Sequence, residues 1–278
     1  MTIEDIIRLA LQEDLGSGDH SSLATIPYTA RGKSKLLVKE EGIIAGVEMA
    51  RQVYNQLDPT LNFELVIHDG SKVKPGDIAF YVTGSSRSIL SGERLALNFM
   101  QRMSGIATAT SRLVNLMEGT GCRILDTRKT TPLLREIEKT AVRLGGGENH
   151  RMGLFDMIMI KDNHVDFAGG IEKAIDAVLC YLENKDLKLK IEIEVRNFDE
   201  LKKVLDHGGV DRIMLDNFPV PDLVKAVGLI NKKYETEASG GINSANIREY
   251  AEAGVDFISV GALTHHIKSL DMSLKAVL

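Results

Sequence analysis

The residue types able to do chemistry are concentrated in short polar strings that follow apolar runs. Asp126-Thr127-Arg128-Lys129-Thr130-Thr131-Pro132 places two cations and three hydroxyls on one turn. Such a turn can hold phosphate or carboxylate, the guanidinium binding bidentately and the ammonium as a point charge. Its plainer use is a solvated basic turn before a helix opening at Pro132. Gly145-Gly146-Gly147-Glu148-Asn149-His150-Arg151 is a flexible loop delivering a His and an Arg. It has neither the strand-then-helix setting of a dinucleotide fingerprint nor the Gly-Lys-Ser/Thr ending of a P-loop. Lys161 follows Met157-Ile158-Met159-Ile160, a cation at the mouth of a buried strand, where desolvation is costly unless an anion meets it.

Glu192 and Glu194 are two apart and share one face of their strand. Glu194 and Asp216 are acids at neighbouring strand ends. They can bind sugar hydroxyls, meet Mg²⁺ through a substrate's phosphates, or pair with the Arg and Lys groups. Ser239-Gly240-Gly241 and Ser259-Val260-Gly261 offer backbone N–H groups with little side chain in the way. That suits phosphate, and equally suits close packing. Of His265 and His266, after the last strand, one can face the site; His68 and His207 read as surface residues. Cys122 and Cys180 have no partner at metal-ligand spacing and cannot build a disulfide framework. No nucleophile with an evident base partner is present, so covalent catalysis is not expected.

The elements that must position these groups have two textures. The first hundred residues mix strands at 33–39, 62–67, around Val73 and 78–82 with a helix at 46–57, an α+β sandwich. Residues 92–117 read as helical, with Ser104-Gly105 a bend or break. From Cys122 onward, strands at 123–126, 156–161, 189–195, 211–215, 234–238 and 256–260 alternate with helices such as 170–182, 198–207, 220–231 and 244–253. Parallel βαβ units follow, either closing into a barrel related to the TIM barrel or forming an open doubly wound sheet. In both, ligands gather at the C-terminal ends of the strands, where all the strings above fall.

Composition sets outer limits. The chain has 278 residues, 44% hydrophobic and 26% charged, with 34 Lys plus Arg against 39 Asp plus Glu. A pI near 5.9 and a mean hydropathy of -0.05 describe a globular chain with neither nucleic acid nor an anionic membrane as its expected partner. No uncharged apolar run approaches the ~20 residues of a membrane span. The first residues read as an amphipathic helix with Glu4 and Asp5 in its first turn, not as a signal peptide, so a cytoplasmic protein is expected.

Six strings taken together, DTRKTTP (126–132), GGGENHR (145–151), MIKDNH (159–164), IEIEV (191–195), LDNF (215–218) and EASGGI (237–242), resemble the quinolinate phosphoribosyltransferase family. ALQEDLGSGDHSS at 10–22 and GERLALNFMQRMSGIAT at 92–108 resemble it too, so the likeness runs through the whole chain. It implies a pentosyltransferase: phosphoribosyl pyrophosphate (PRPP) and quinolinate give nicotinate mononucleotide, pyrophosphate and CO₂, in NAD biosynthesis. It assigns Arg128, His150, Arg151 and Lys161 to quinolinate, and Thr127 to the same turn. Lys129, Glu194, Asp216, Ser239, Gly240, Gly241, Ser259, Val260, Gly261 and His265 go to PRPP. Lys129, Lys161, Glu194 and Asp216 are the expected catalytic groups, and Mg²⁺ arrives with PRPP.

Arg94 is similar to the family arginine that reaches a neighbouring subunit's site, implying a homodimer, with a hexamer the larger assembly open to it. The implied fold is a type II phosphoribosyltransferase. It has an N-terminal α/β sandwich over 1–110, an incomplete, seven-stranded α/β barrel over 111–268, and a C-terminal helix at 269–278 packed on the first domain. The residues alone leave two other readings open, a phosphosugar-binding lyase that needs no pyrophosphate site and a ligand-binding protein without catalysis.

Overall fold

The computed structural model of the chain describes residues 2–277. In chain order, α1 (Ile3–Leu15), α2 (His20–Thr25), β1 (Arg31–Val38), β2 (Gly42–Ile43), α3 (Val47–Leu57), β3 (Asn62–Leu65), β4 (Lys72–Val73), β5 (Ile78–Ser85) and α4 (Ser86–Leu116) come first. Then β6 (Arg123–Leu125), α5 (Arg135–Leu144), β7 (Ile158–Ile160), α6 (Asp162–Ala168), α7 (Ile171–Lys185), β8 (Ile191–Val195) and α8 (Phe198–His207) follow. The chain ends with β9 (Arg212–Asp216), α9 (Val220–Ile230), β10 (Glu235–Ser239), α10 (Ile247–Glu252), β11 (Phe257–Ser259), α11 (Ala262–His265) and β12 (Met272–Ala276). These form two units, one of residues up to 111, 131–146 and 266 onward, the other of 112–130 and 147–265. No helix among the described residues is long and apolar enough to cross a membrane.

In the first unit, four antiparallel strands lie in the order β12-β1-β5-β3. β1 buries Ser34, Leu36 and Val38 while the residues between them stay partly exposed, the period-two pattern of a sheet with one covered face. The expected C-terminal helix over 269–278 is instead the strand β12, pairing with β1 from Ser34 opposite Ala276 to Val38 opposite Met272. The physical reason is alternation: Met272 and Leu274 are buried, with Ser273 between them less so, a spacing no helix face can satisfy.

The expected bend at Ser104-Gly105 is absent, and α4 runs unbroken for 31 residues. Its small residues serve close approach. Ser104 Oγ accepts from Ala45 N at 2.8 Å and donates to Ala45 O at 3.0 Å, and Thr108 Oγ1 accepts from Ile43 N at 2.9 Å. A Cβ at Gly105 would overlap the Lys268 carbonyl. Residues 131–146, expected in the barrel domain, belong to the first unit. There Glu138, almost fully buried on α5, pairs with Arg102 of α4.

The second unit is one parallel sheet in the order β6-β11-β10-β9-β8-β7. Its strands are apolar at nearly every position that is not charged: Ile193, Val195, Ile213, Leu215, Ala238 and Ile258 are fully buried, as strands covered on both faces require. The six strands read from the residues are the six observed; of the seventh that the family resemblance implies, the described residues show a single-residue bridge from Glu148 to Leu125 beside β6. Because β6 and β7 do not pair with each other, the barrel stays open.

Gly105→Ala separates propensity from packing. Alanine gains about 1 kcal/mol of helix propensity over glycine, whereas forcing a methyl against fixed backbone costs about 1–3 kcal/mol. We expect a lower urea midpoint for the variant; an unchanged or higher one would show that the helix can shift away.

Candidate active site

Residues at the C-terminal ends of all six parallel strands, with the loops that follow, line one cavity of about 850 Å³. Each residue predicted from sequence lines it, except Arg94, which is exposed on α4 of the first unit and is not part of the lining. After β6 the chain is fixed by Asp126, whose fully buried carboxylate accepts His150 N at 2.9 Å and Asn149 Nδ2 at 2.5 Å. This ties the Gly-rich loop to the turn carrying Arg128 and Lys129. Thr127 Oγ1 accepts Lys129 N at 3.0 Å, and Thr264 Oγ1 donates to Lys129 O at 2.7 Å.

Two cations, Arg128 and Arg151, line the same cavity close enough for the charge of one to act on the other. Burial first, then the charge of Arg128, pushes the Arg151 guanidinium below its ordinary value. Arg128 Nε is buried and has no hydrogen-bond partner among the described residues, an unmet donor that an anionic ligand would satisfy. Lys161 is paired instead, its Nζ 3.3 Å from Glu194 Oε2. Burial raises the Glu194 carboxyl above its usual range; Lys161 opposes this, while Asp216 adds to it. Glu194 is thus engaged in an ion pair with Lys161. Asp216 accepts from Asn217 Nδ2 at 2.6 Å.

The glycine strings behave differently from each other. Gly240 and Gly241 have φ of 98° and 64°, and a Cβ at Gly240 would overlap the Asn217 side chain. Glycine is required at Gly240 by backbone conformation and space together, and the N–H groups of this loop border the cavity. In the second string, Val260 N–H is committed to Leu125 O at 3.0 Å, and the Ser259 hydroxyl bonds to Glu237. At Gly261 space is short: a Cβ on it would lie 3.0 Å from Lys129 Cδ and 3.1 Å from His265 Nε2.

Beneath this layer lies a buried cluster that sequence reasoning missed. His150 Nε2 sits 2.9 Å from Glu192 Oε2 and 3.5 Å from Glu237 Oε2. Arg212 Nη1 holds Glu237 Oε2 at 3.0 Å, its Nη2 reaches Glu235 at 3.1 Å, and its guanidinium lies 4.0 Å over the Phe257 ring. Burial opposes charge on His150, but hydrogen bonds and charges from Glu192 and Glu237 raise it to about 9. Burial, then the Glu237 charge, raises Glu192 to about 7. Glu237 is held below the usual carboxylate range by His150, Ser259 and Arg212, against its burial. One proton is thus shared between His150 and Glu192 at neutral pH. The ligand atoms of His150, Glu192 and Glu237 lie within 4.8 Å of one another, but Arg212 and that proton supply the positive charge a metal would bring. The available signal was the alternation of acids with apolar residues in Ile191-Glu192-Ile193-Glu194-Val195 and Glu235-Thr236-Glu237-Ala238-Ser239.

Comparison with known proteins agrees with this arrangement. The family model for the N-terminal domain of quinolinate phosphoribosyl transferase matches residues 19–104, and that for its C-terminal domain matches 106–275. A quinolinate phosphoribosyltransferase (decarboxylating) from Nicotiana glauca is 46% identical over 98% of this chain and 82% of its own length. A probable nicotinate-nucleotide pyrophosphorylase (carboxylating) from Synechocystis is 40% identical over 96% of this chain and 90% of its own. The crystal structure of NadC from Streptococcus pyogenes superposes with a TM-score of 0.94 at 38% identity, covering 99% of this chain and 97% of that one. With both domains matched in order along nearly its whole length, the chain belongs to the quinolinate phosphoribosyltransferase family.

Proposed function

We propose that the cavity joins quinolinate to PRPP. The pyridine nitrogen attacks C1 of the ribose, pyrophosphate leaves with its Mg²⁺, and the bond from C2 to its carboxylate breaks to release CO₂. The electron pair left on C2 takes a proton, giving nicotinate mononucleotide, so one proton is consumed overall. The observation that carries this reading is the presence of Arg128 and Arg151 in one cavity, with the unmet Nε–H of Arg128. Two guanidinium groups in one cavity fit a planar dianion, each carboxylate taking one fork. A lyase acting on a finished phosphosugar would not need them.

On this reading Arg128, Arg151 and Lys161 bind quinolinate, with His150 beneath them. Lys129, Glu194, Asp216, the Ser239–Gly241 loop, Gly261 and His265 surround PRPP, with Mg²⁺ as part of that substrate. Lys161 and Glu194, paired 3.3 Å apart, change partners on binding. A substrate carboxylate takes Lys161, and Glu194 turns to the ribose, where its charge favours the oxocarbenium-like transition state. The electron pair forming at C2 is favoured by the cations around it. Arg94 serves the neighbouring subunit of a homodimer, in a protein we place in the cytoplasm.

Incubation with PRPP, Mg²⁺ and quinolinate is expected to yield nicotinate mononucleotide, CO₂ and pyrophosphate in equal amounts, with nicotinate inert. Turnover of nicotinate, or CO₂ without pyrophosphate, would overturn the reading. Arg128→Lys keeps the charge but loses the fork. A hydrogen bond to a charged group contributes about 1.5–3 kcal/mol, so KM for quinolinate should rise about 10–150-fold. A rise in KM for PRPP alone would move Arg128 to the other substrate. Lys161→Ala should lower kcat by about 10²–10³, the usual loss for one preorganised electrostatic group.

Arg94 is tested by mixing two inactive variants, Arg94→Ala and Lys161→Ala. If Arg94 serves the partner's site, each mixed dimer contains one intact site. About half of randomly reassorted C₂ dimers are mixed, so roughly a quarter of wild-type activity should return. No recovery, with mixed dimers demonstrated, would place Arg94 in its own subunit's site.

A further inference from the structure

Glu192 is fully buried and does not line the cavity, so it can influence a substrate only through another residue. Its neighbour His150 is connected on both sides. Nε2 meets Glu192 Oε2 at 2.9 Å, while Nδ1 accepts the backbone N–H of Arg151 at 2.7 Å. The His150 backbone N–H is itself held by Asp126 Oδ1 at 2.9 Å, and Arg151 Nη1 donates to Met157 O at 3.2 Å. A ring nitrogen that accepts a hydrogen bond carries no proton, so the hydrogen of the ring lies on Nε2, facing Glu192.

The proton that His150 and Glu192 share therefore lies between Nε2 and the carboxyl, not on Nδ1. Both Glu192 oxygens are buried without a well-aligned hydrogen bond, Oε2 lying 2.9 Å from His150 Nε2, and buried oxygens so placed cost far less on a neutral acid than on a carboxylate. Glu237 is the ionised member, matched by Arg212 at 3.0 Å. The two acids therefore have different duties, one balancing a charge and the other choosing a tautomer.

We infer that Glu192 is a positioning residue for dicarboxylate recognition: by taking the Nε2 proton of His150 it makes Nδ1 the acceptor that fixes the Arg151 backbone and aims its guanidinium into the cavity. This rests on Arg151 being a ligand of quinolinate. If the ring turned over, or took the other tautomer, the Arg151 N–H would lose its acceptor and the guanidinium would lose its direction opposite Arg128.

The test compares Glu192→Leu with Glu192→Gln by steady-state kinetics on both substrates. Leucine removes the acceptor, and KM for quinolinate should rise about tenfold or more while KM for PRPP stays within about twofold. Glutamine keeps an acceptor oxygen and should restore KM to within about threefold of wild type. A purely structural role predicts a lower melting temperature with both KM values unchanged or moved together, and that result overturns the proposal. Nitrogen-15 NMR of the imidazole in the wild-type protein gives a second reading, independent of whether Glu192→Leu folds. An unprotonated Nδ1 at neutral pH is expected; a protonated Nδ1 refutes it. Failure of the wild-type protein to turn over quinolinate would instead refute the proposed function, leaving the tautomer measurement standing.

Discussion

The second unit depends on burying charge inside a parallel sheet without leaving it unbalanced. Arg212, Glu192 and Glu237 are each less than a tenth exposed, and moving such ions out of water costs several kcal/mol apiece. The sum closes because Arg212 is matched by Glu237, while Glu192 and His150 together hold one proton and no net charge. A neutral floor of this kind leaves the charge of Arg128 and Arg151 in the layer above it uncancelled from below. Were Glu192 also ionised, its field would partly cancel Arg128 and Arg151, and the cavity would lose its attraction for dianions. The pKa values of two acids only two strands apart are pushed in opposite directions, and the same geometry separates their roles.

Most of the upper layer was legible in the sequence because each contributing string is contiguous. Asp126 to Lys129 and Asn149 to Arg151 announce cations, and Lys161 announces itself by following an apolar run. The lower cluster was not legible for a geometric reason. Glu192 on β8 and Glu237 on β10 are separated by β9 in the sheet, and they meet at His150 only because the sheet curls. Spacing along one strand shows which face a residue takes, but not what curvature brings opposite it. Arg212 was hidden in the same way, since a cation at the start of a strand reads as a solvated end.

The two misread segments of the first unit have a common cause. Ser104-Gly105 was taken for a weak point in a helix, yet Ser104 satisfies both backbone groups of Ala45, and Gly105 provides the clearance this approach needs. The terminal segment 269–278 was assigned as helix from the family resemblance, although Met272, Leu274 and the polar residues between them alternate. In both places the local pattern decides the outcome: close approach of backbone at Ser104-Gly105, and period-two burial at Met272 and Leu274.

The two cation-bearing loops are also the two ends of a single excursion. The chain leaves the second unit after Thr130, passes through α5 in the first, and returns at Gly147. The excursion is pinned at its start, where Thr131 N donates to Glu138 Oε2 at 3.1 Å and Arg102 Nη2 donates to Thr131 Oγ1 at 2.8 Å. It is pinned again at its return, where Asp126 holds Asn149 and His150. Fixing both ends removes the freedom that a glycine-rich loop would otherwise keep. Two guanidinium groups repel each other and would separate if their backbones could move. Within the second unit, buried Asp126 ties the two loop backbones together, and the repulsion remains in the site until an anion relieves it.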